Sequence, residues 1–435
     1  MPNNLPPNWS WVKLGDVCFT TSGGTPKRGN KNYYNGSIPW VKSGELDKGL
    51  ILDTEEKISE EALQNSSAKL FPKGTLLIAL YGATIGKLAF LGIEAATNQA
   101  VCGIYKNENI DSNFLYNFLF FKKAYLVKQS IGGAQPNISQ GILKNLEIPL
   151  PPLPEQKKIV EKIEELFSGL DSGVASLKKA KAQIRLYRQS VLASAFSGRL
   201  HQDSSDYKIN RIKEKNKSGK SLNPANPQIL VNHGSDNLPN GWKWVKVSDV
   251  GDIVTGTTPS KKVSEYYGND FPLYKPTDLN AGINTRKASD NISKLGATKA
   301  RLLPEKSTMV TCIGATIGKT GLNKITGTTN QQINSIIPNK NYIPECVYYF
   351  CISEFFQDQI KTNASSTTLP ILNKSKFELL PFIQIPLTQQ TQIVEEIEKR
   401  FSEADNLEKA IDDSLAKSET LRQSILKKAF EGQLV

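Results

Sequence analysis

Q-K-K-I-V-E-K-I-E-E-L-F at residues 156–167 returns as Q-T-Q-I-V-E-E-I-E-K-R-F at 390–401, and this pair decides the fold. Behind the first copy, Ile163, Leu170, Leu177, Ile184 and Val191 fall at strict seven-residue steps. That spacing is the mark of a coiled-coil seam on a long helix. The same positions of the second copy hold Ile397, Ala404, Ile411, Ser418 and Ile425. That stripe is weaker, and Leu407, Leu415 and Leu421 are read as filling it in. Pro152 and Pro154 stop whatever precedes the first helix, and Gly198 follows Phe196 as a C-terminal cap does. An apolar stripe on a helix of roughly 40 residues, about 60 Å long, is not stable without a partner. The other copy's helix is that partner.

Working outward, the whole chain proves to be a tandem repeat. L-P-P-N-W-S-W-V-K-L-G-D-V at 5–17 returns as L-P-N-G-W-K-W-V-K-V-S-D-V at 238–250. Thr25-Pro26 matches Thr258-Pro259, Tyr33-Tyr34 matches Tyr266-Tyr267, and Pro39 matches Pro272. G-A-T-I-G-K recurs at 82–87 and 314–319, and Thr97-Asn98-Gln99 recurs as Thr329-Asn330-Gln331. R-Q-S-V-L-A-S-A-F-S-G-R-L at 188–200 returns as R-Q-S-I-L-K-K-A-F-E-G-Q-L at 422–434. The offset stays between 314 − 82 = 232 and 390 − 156 = 234, which is a duplication. It divides the chain into a globular domain (1–153), a helix (154–200), a linker (201–237), a second globular domain (238–387) and a second helix (388–435). The linker is rich in Lys, Asn, Ser, Asp and Pro and reads as flexible, or as a basic arm.

Each globular part carries short apolar runs punctuated by Gly, Pro and Asn, such as GTLLIALYG and STMVTCIG. These suit strands and turns, with one helical segment at NFLYNFLFFKKAYLVKQS and its counterpart PECVYYFCISEFFQDQI. The fold class is therefore α+β: two β-rich domains joined by two long antiparallel coiled-coil helices with a pseudo-twofold repeat.

Composition narrows the function. Lys and Arg outnumber Asp and Glu by 54 − 42 = 12, a balance that permits polyanion binding. Five cysteines without C-x-x-C spacing argue for isolated buried thiols, against a disulfide framework or a zinc site. The two histidines, His201 and His233, lie in the polar linker, which argues against a His-based catalytic site. No run approaches a transmembrane helix and the start does not resemble a signal peptide, so a soluble cytoplasmic protein is expected.

The helices agree between copies better than the loops do. SGGTPKRGNKNYYNGSIPWVKSGEL becomes TGTTPSKKVSEYYGNDFPLYKPTDL. One scaffold presenting two different recognition surfaces explains this, as does drift after duplication. The loops mix Thr25, Lys27, Arg28, Asn30, Lys31, Asn32, Tyr33 and Tyr34 in the first copy with Thr258, Lys261, Lys262, Tyr266 and Tyr267 in the second. Cations neutralise phosphates, and amides and hydroxyls read base edges, so these residues are candidate DNA contacts. A paired Tyr also serves as an ordinary core or hairpin residue.

The run P-L-P-P-L-P-E-Q-K-K-I-V-E-K-I-E-E-L-F at 149–167, with A-F-S-G-R-L at 195–200 and A-F-E-G-Q-L at 429–434, resembles the specificity subunit of type I restriction–modification enzymes. So do P-P-N-W-S-W at 6–11 and L-P-N-G-W at 238–242, followed by S-G-G-T-P at 22–26 and T-G-T-T-P at 255–259. The resemblance covers the whole chain, twice and in order. It implies two target-recognition domains, each reading half of a split site in double-stranded DNA, with the helix length setting the gap. It further implies two docked modification subunits that carry S-adenosylmethionine and form an adenine methyltransferase. Restriction subunits add ATP- and magnesium-dependent translocation and cleavage. The alternative is a coiled-coil scaffold joining two protein-binding domains.

No catalytic machinery is legible. Pro-Pro pairs occur only outside an N/D-P-P-Y/F methyltransferase motif, and Glu55–Lys57 lacks a partner Asp for a nuclease core. GATIGKT at 314–320 imitates a P-loop, but only three residues separate Gly314 from Gly318 and the first copy ends in Leu88. Strand-like sequence follows, where a P-loop opens a helix. The stretch is better read as a glycine turn between two strands, leaving Lys87 and Lys319 to face either solvent or a DNA phosphate. No cofactor is expected on this chain.

Overall fold

The computed structural model describes residues 5–130, 136–199, 238–365 and 369–435. The expected linker at 201–237, with His201 and His233, lies outside the described residues. The described chain forms two compact units, 1–178 with 412–435, and 179–411. Each unit therefore takes its globular part together with a piece of both long helices.

In the first unit one sheet runs in the order Thr20–Ser22, Val101–Ile104, Leu76–Ala79, Leu88–Leu91, Leu50–Ile51. A second runs Glu56–Ile58, Ile38–Val41, Ala95–Thr97, Leu70–Phe71. The second unit repeats both. Gly251–Thr255, Ile333–Pro338, Thr308–Thr311 and Thr320–Leu322 form one sheet. Asp290–Ile292, Tyr267–Tyr274, Gly327–Thr329 and Leu302–Leu303 form the other. The parallel edge strand Leu50–Ile51 shrinks in the second unit to one parallel bridge, Thr285 to Asn323. The central strands Leu76–Ala79, Val101–Ile104 and Thr308–Thr311 are short and buried on both sides, so they read as runs without alternation.

Each opening strand closes its own domain. Ser10–Lys13 pairs antiparallel with Glu147–Leu150, and Lys243–Lys246 with Pro381–Gln384. That ladder delivers the chain into the long helix, Leu153–Phe196 in the first copy and Leu387–Phe430 in the second. Trp9 donates from its indole nitrogen to Glu155 in the first turn of the helix, and Trp242 donates to Gln389. The repeated tryptophan motif thus clamps a strand to a helix start. The C-termini close alike: Arg199 N–H bonds Ser194 O at 3.0 Å and Gln433 N–H bonds Lys428 O at 2.8 Å, around Gly198 and Gly432 at positive φ.

Within each unit the two helix pieces run antiparallel. In the first, Ile159, Val160 and Ile163 share a core with Ile425, Leu426, Ala429 and Phe430, while Asp171, further along, pairs with Arg422. In the second, Lys181 reaches Glu408 and Arg188 reaches both Glu408 and Asp405. Along the seam Ile163, Ile184, Val191, Ile397, Ala404, Ile411 and Ile425 are buried, and Leu170, Leu177, Leu415 and Ser418 are half-buried.

Leu407 and Leu421 correct the sequence reading: they are 54% and 52% exposed. The seam advances alternately by four and three residues. Four steps on from Ala404 and Ser418 lie Glu408 and Arg422, and each leucine sits one position short of them. The seam there is carried by paired charges, which a search for apolar residues passes over.

Candidate nucleic-acid interface

Three motifs that are distant in the chain meet in each unit. Gly23 and Gly256, from the S-G-G-T-P and T-G-T-T-P loops, press on the T-N-Q loop. A Cβ on Gly23 would stand 2.1 Å from Thr97 O, and one on Gly256 2.2 Å from Asn330 O. Thr25 donates its hydroxyl to Gln99 Oε1, and Thr258 donates to Gln331 Oε1 at 2.8 Å. The G-A-T-I-G-K strand abuts the same loop, since Leu80 N–H bonds Ala100 O and Cys312 N–H bonds Gln332 O. What the copies share in sequence is therefore one junction in space.

G-A-T-I-G-K is the turn between Leu76–Ala79 and Leu88–Leu91, and its twin links Thr308–Thr311 to Thr320–Leu322. Gly86 and Gly318 sit at φ of +74° and +87°, each donating back to the preceding strand, to Ala79 O and Thr311 O. Only glycine adopts that conformation without strain. A tight turn between paired strands supplies no helix N-terminus to hold a nucleotide phosphate.

The structure sorts the loop candidates. Tyr34 donates to Pro26 O at 2.6 Å and Tyr267 to Pro259 O at 2.8 Å, so both hydroxyls brace their own loops. Burial pushes both phenols above their ordinary pKa. Arg28 pairs with Glu56 at 2.6 Å and lies over Tyr34 and Trp40. Asn30 caps a short 3-10 turn by accepting from Asn32 N–H. Lys87 faces Asp47, so it meets neither bare solvent nor a vacant anion seat. Tyr33 packs at the edge of the Ile38–Trp40–Ile58 cluster, and Tyr33 O accepts from Ser59 N–H as Tyr266 O does from Ser293 N–H. Lys27, Lys31, Lys261 and Lys262 are exposed and, among the described residues, have no ion pair. Lys319 is half-buried and likewise has none. Of the candidate cations, these five lysines are the ones without an ion pair among the described residues.

Sequence reasoning missed the pairs that hold the loops. Lys42 bridges Glu55 and Glu56 at 2.9 and 3.1 Å, and its counterpart Lys275 meets Asp290 at 2.5 Å. The guanidinium of Arg28 holds the Glu56 carboxyl below its ordinary pKa, and the Lys275 ammonium does the same for Asp290. Glu45 and Asp278 each accept two backbone N–H groups in matching places. The only sequence signal is position: Lys42 and Glu45 recur as Lys275 and Asp278, 275 − 42 = 278 − 45 = 233 residues on. Glu55 itself is a surface partner of Lys42, with no acid cluster for a metal among the described residues.

Comparison with known proteins places this arrangement. The type I restriction modification DNA specificity domain matches residues 6–182 and again residues 239–417. The chain belongs to that family. The specificity subunit of the EcoKI type I restriction enzyme from Escherichia coli K12 is 26% identical over 99% of this chain and 90% of its own. The MjaIX specificity subunit from Methanocaldococcus jannaschii is 25% identical over 86% and 82%. Among solved structures, a chain from a study of complex assembly in a type I restriction–modification system superposes with a TM-score of 0.74, at 21% identity and over the full length of both. The HsdS subunit from Thermoanaerobacter tengcongensis gives 0.55 at 21% identity, covering 100% of this chain and 99% of its own. The fold is shared throughout; these family members are specificity subunits, and no described helix is long and apolar enough to cross a membrane.

Proposed function

We propose that this chain is the DNA-specificity subunit of a type I restriction–modification system and is not itself catalytic. The carrying observation is the pair of matched junctions, each bearing loops of different sequence and unpaired lysines, in a chain of this family. A shared frame with divergent loops suits two domains that read two different half-sites of one duplex. The long helices set the spacing between half-sites and offer two equivalent seats for modification subunits. S-adenosylmethionine resides on those subunits, and ATP with magnesium on restriction subunits. No observation favours the protein-binding scaffold.

The test is to sequence methylated adenines in cells with and without this chain. A split motif that disappears without the chain is expected; a methylation pattern indifferent to it would overturn the proposal. Inserting one helical turn near Leu177 is expected to change the gap and leave both half-sites as they were.

A further inference from the structure

The two threonine–glutamine pairs lie at the surface of the junctions and recur although the loops beside them differ. Gln99 and Gln331 are both exposed, and each has its Oε1 tied to the threonine hydroxyl beside it. Among the described residues neither Nε2 has a partner. With the threonine hydroxyl donating, the amide's acceptor is turned to the protein and its two N–H donors outward. A base edge such as that of adenine asks a glutamine for a donor and an acceptor together. Outward donors suit an acceptor, which on duplex DNA is guanine O6 or N7, thymine O4 or a phosphate oxygen, and of these only the phosphate is the same at every sequence. The same amide stands at the same place in two units whose loops differ, as contacts to a sequence-independent feature require.

We infer that Gln99 and Gln331 are DNA phosphate contacts, one for each half-site, and that Thr25 and Thr258 are their positioning residues. This rests on the DNA-reading function proposed above. It separates two tasks within one domain: the amide fixes the register of the duplex against the junction, and the loop bearing Lys27 and Lys31, or Lys261 and Lys262, supplies long-range attraction and base contacts.

The experiment measures binding of the full chain, co-purified with its modification subunit, to a duplex carrying the mapped site and to a scrambled duplex of equal length. Gln331→Ala is expected to weaken mapped-site binding about tenfold, the scale of a hydrogen bond to a charged group. Gln331→Glu keeps the bond from Thr258 but turns a carboxylate to the phosphate, and its expected loss is larger, about a hundredfold at low salt. The slope of log affinity against log salt stays as in wild type for Gln331→Ala, because an amide displaces no counterion. Thr258→Val is expected to mimic Gln331→Ala, and Thr258→Ser to restore binding. Losses from Gln99→Ala and Gln331→Ala multiply in the double variant, since the residues share no partner.

Gln331→Glu binding like wild type would overturn the inference, because a purely structural pair tolerates that change. So would a Gln331 variant that alters the methylated sequence at a single base, which would make the residue a base reader. In either case wild type still prefers the mapped duplex, and the functional proposal stands. Wild-type binding that ignores sequence would sink the proposal and this inference with it.

Discussion

Gln390 accepts from Ile343 N–H at 2.7 Å and donates to Asn341 O at 2.8 Å and Ile385 O at 2.7 Å, with no exposure to solvent. Gln156 makes the same three bonds, to Asp111 N–H, Asn109 O and Pro151 O. One side chain thus ties a spacer helix to two stretches of its recognition domain. Gln390→Ala strands three backbone groups in the interior and is expected to cost about 3 kcal/mol or more. The check is hydrogen exchange across 239–386, where protection falls in the variant; unchanged protection would contradict the argument. Asp290 gives a pH signature. Its carboxyl is held low by Lys275, so the pair contributes stability above the unfolded pKa of about 4 and loses it as pH falls through the lower folded value. Asp290→Asn is expected to lose about 0.5–1 kcal/mol at pH 7, with the gap to wild type closing below about pH 4 in denaturant titrations. A gap that persists in acid would show that packing, not charge, is at stake. Both residues illustrate what sequence leaves unread. Gln156 and Gln390 head the most faithful repeat, yet residue type alone does not reveal that an amide on a charged helix is buried.

At the scale of elements, the spacer helices divide into a legible and an illegible half. Seven-residue recurrence exposes Ile163 through Val191 directly, because those positions are apolar. The alternate positions read Phe167, Val174, Lys181, Arg188 on one helix and Phe401, Glu408, Leu415, Arg422 on the other. Their charges are paired within each unit, and Arg422 also lies over the Phe167 ring at 4.3 Å. A hydrophobic pattern cannot register such positions and lands on the exposed neighbours Leu407 and Leu421 instead. The strands and the G-A-T-I-G-K turn were legible for the opposite reason, since glycine spacing and short apolar runs act locally. Ile411 is 4% exposed and Leu407 54%. Ile411→Ala is therefore expected to cost about 2–4 kcal/mol, and Leu407→Ala less than about 0.5 kcal/mol. Thermal unfolding of the two variants checks the order; comparable losses would put Leu407 back in the seam.

At the scale of the molecule, the division into units is the property least visible in the chain. The first unit recruits residues 412–435, more than two hundred positions beyond the end of its other segment at Lys178. Phe430 is fully buried there, edge-on to Phe114 and Phe118 at 5.3 and 5.1 Å and stacked with Phe121 at 5.7 Å. Ile425, Leu426 and Ala429 share that core. The second unit is built the same way, with Phe196 edge-on to Phe350 at 5.1 Å. A repeat read from the sequence suggests that each copy folds with its own helix, whereas each domain is completed by the end of the other copy's helix. Burying these side chains contributes on the order of 2–3 kcal/mol for each large one, against a net stability of about 5–15 kcal/mol for a domain. A chain ending at Ile411 is thus expected to lose most of the stability of its first unit, although every strand of that unit is intact in sequence. Hydrogen exchange should then show residues 5–178 unprotected while 239–411 remain protected. Supplying 412–435 as a separate peptide should restore protection to the first unit alone. If the truncated chain protected both regions equally, the first domain would be self-sufficient and the C-terminal segment merely an appendage.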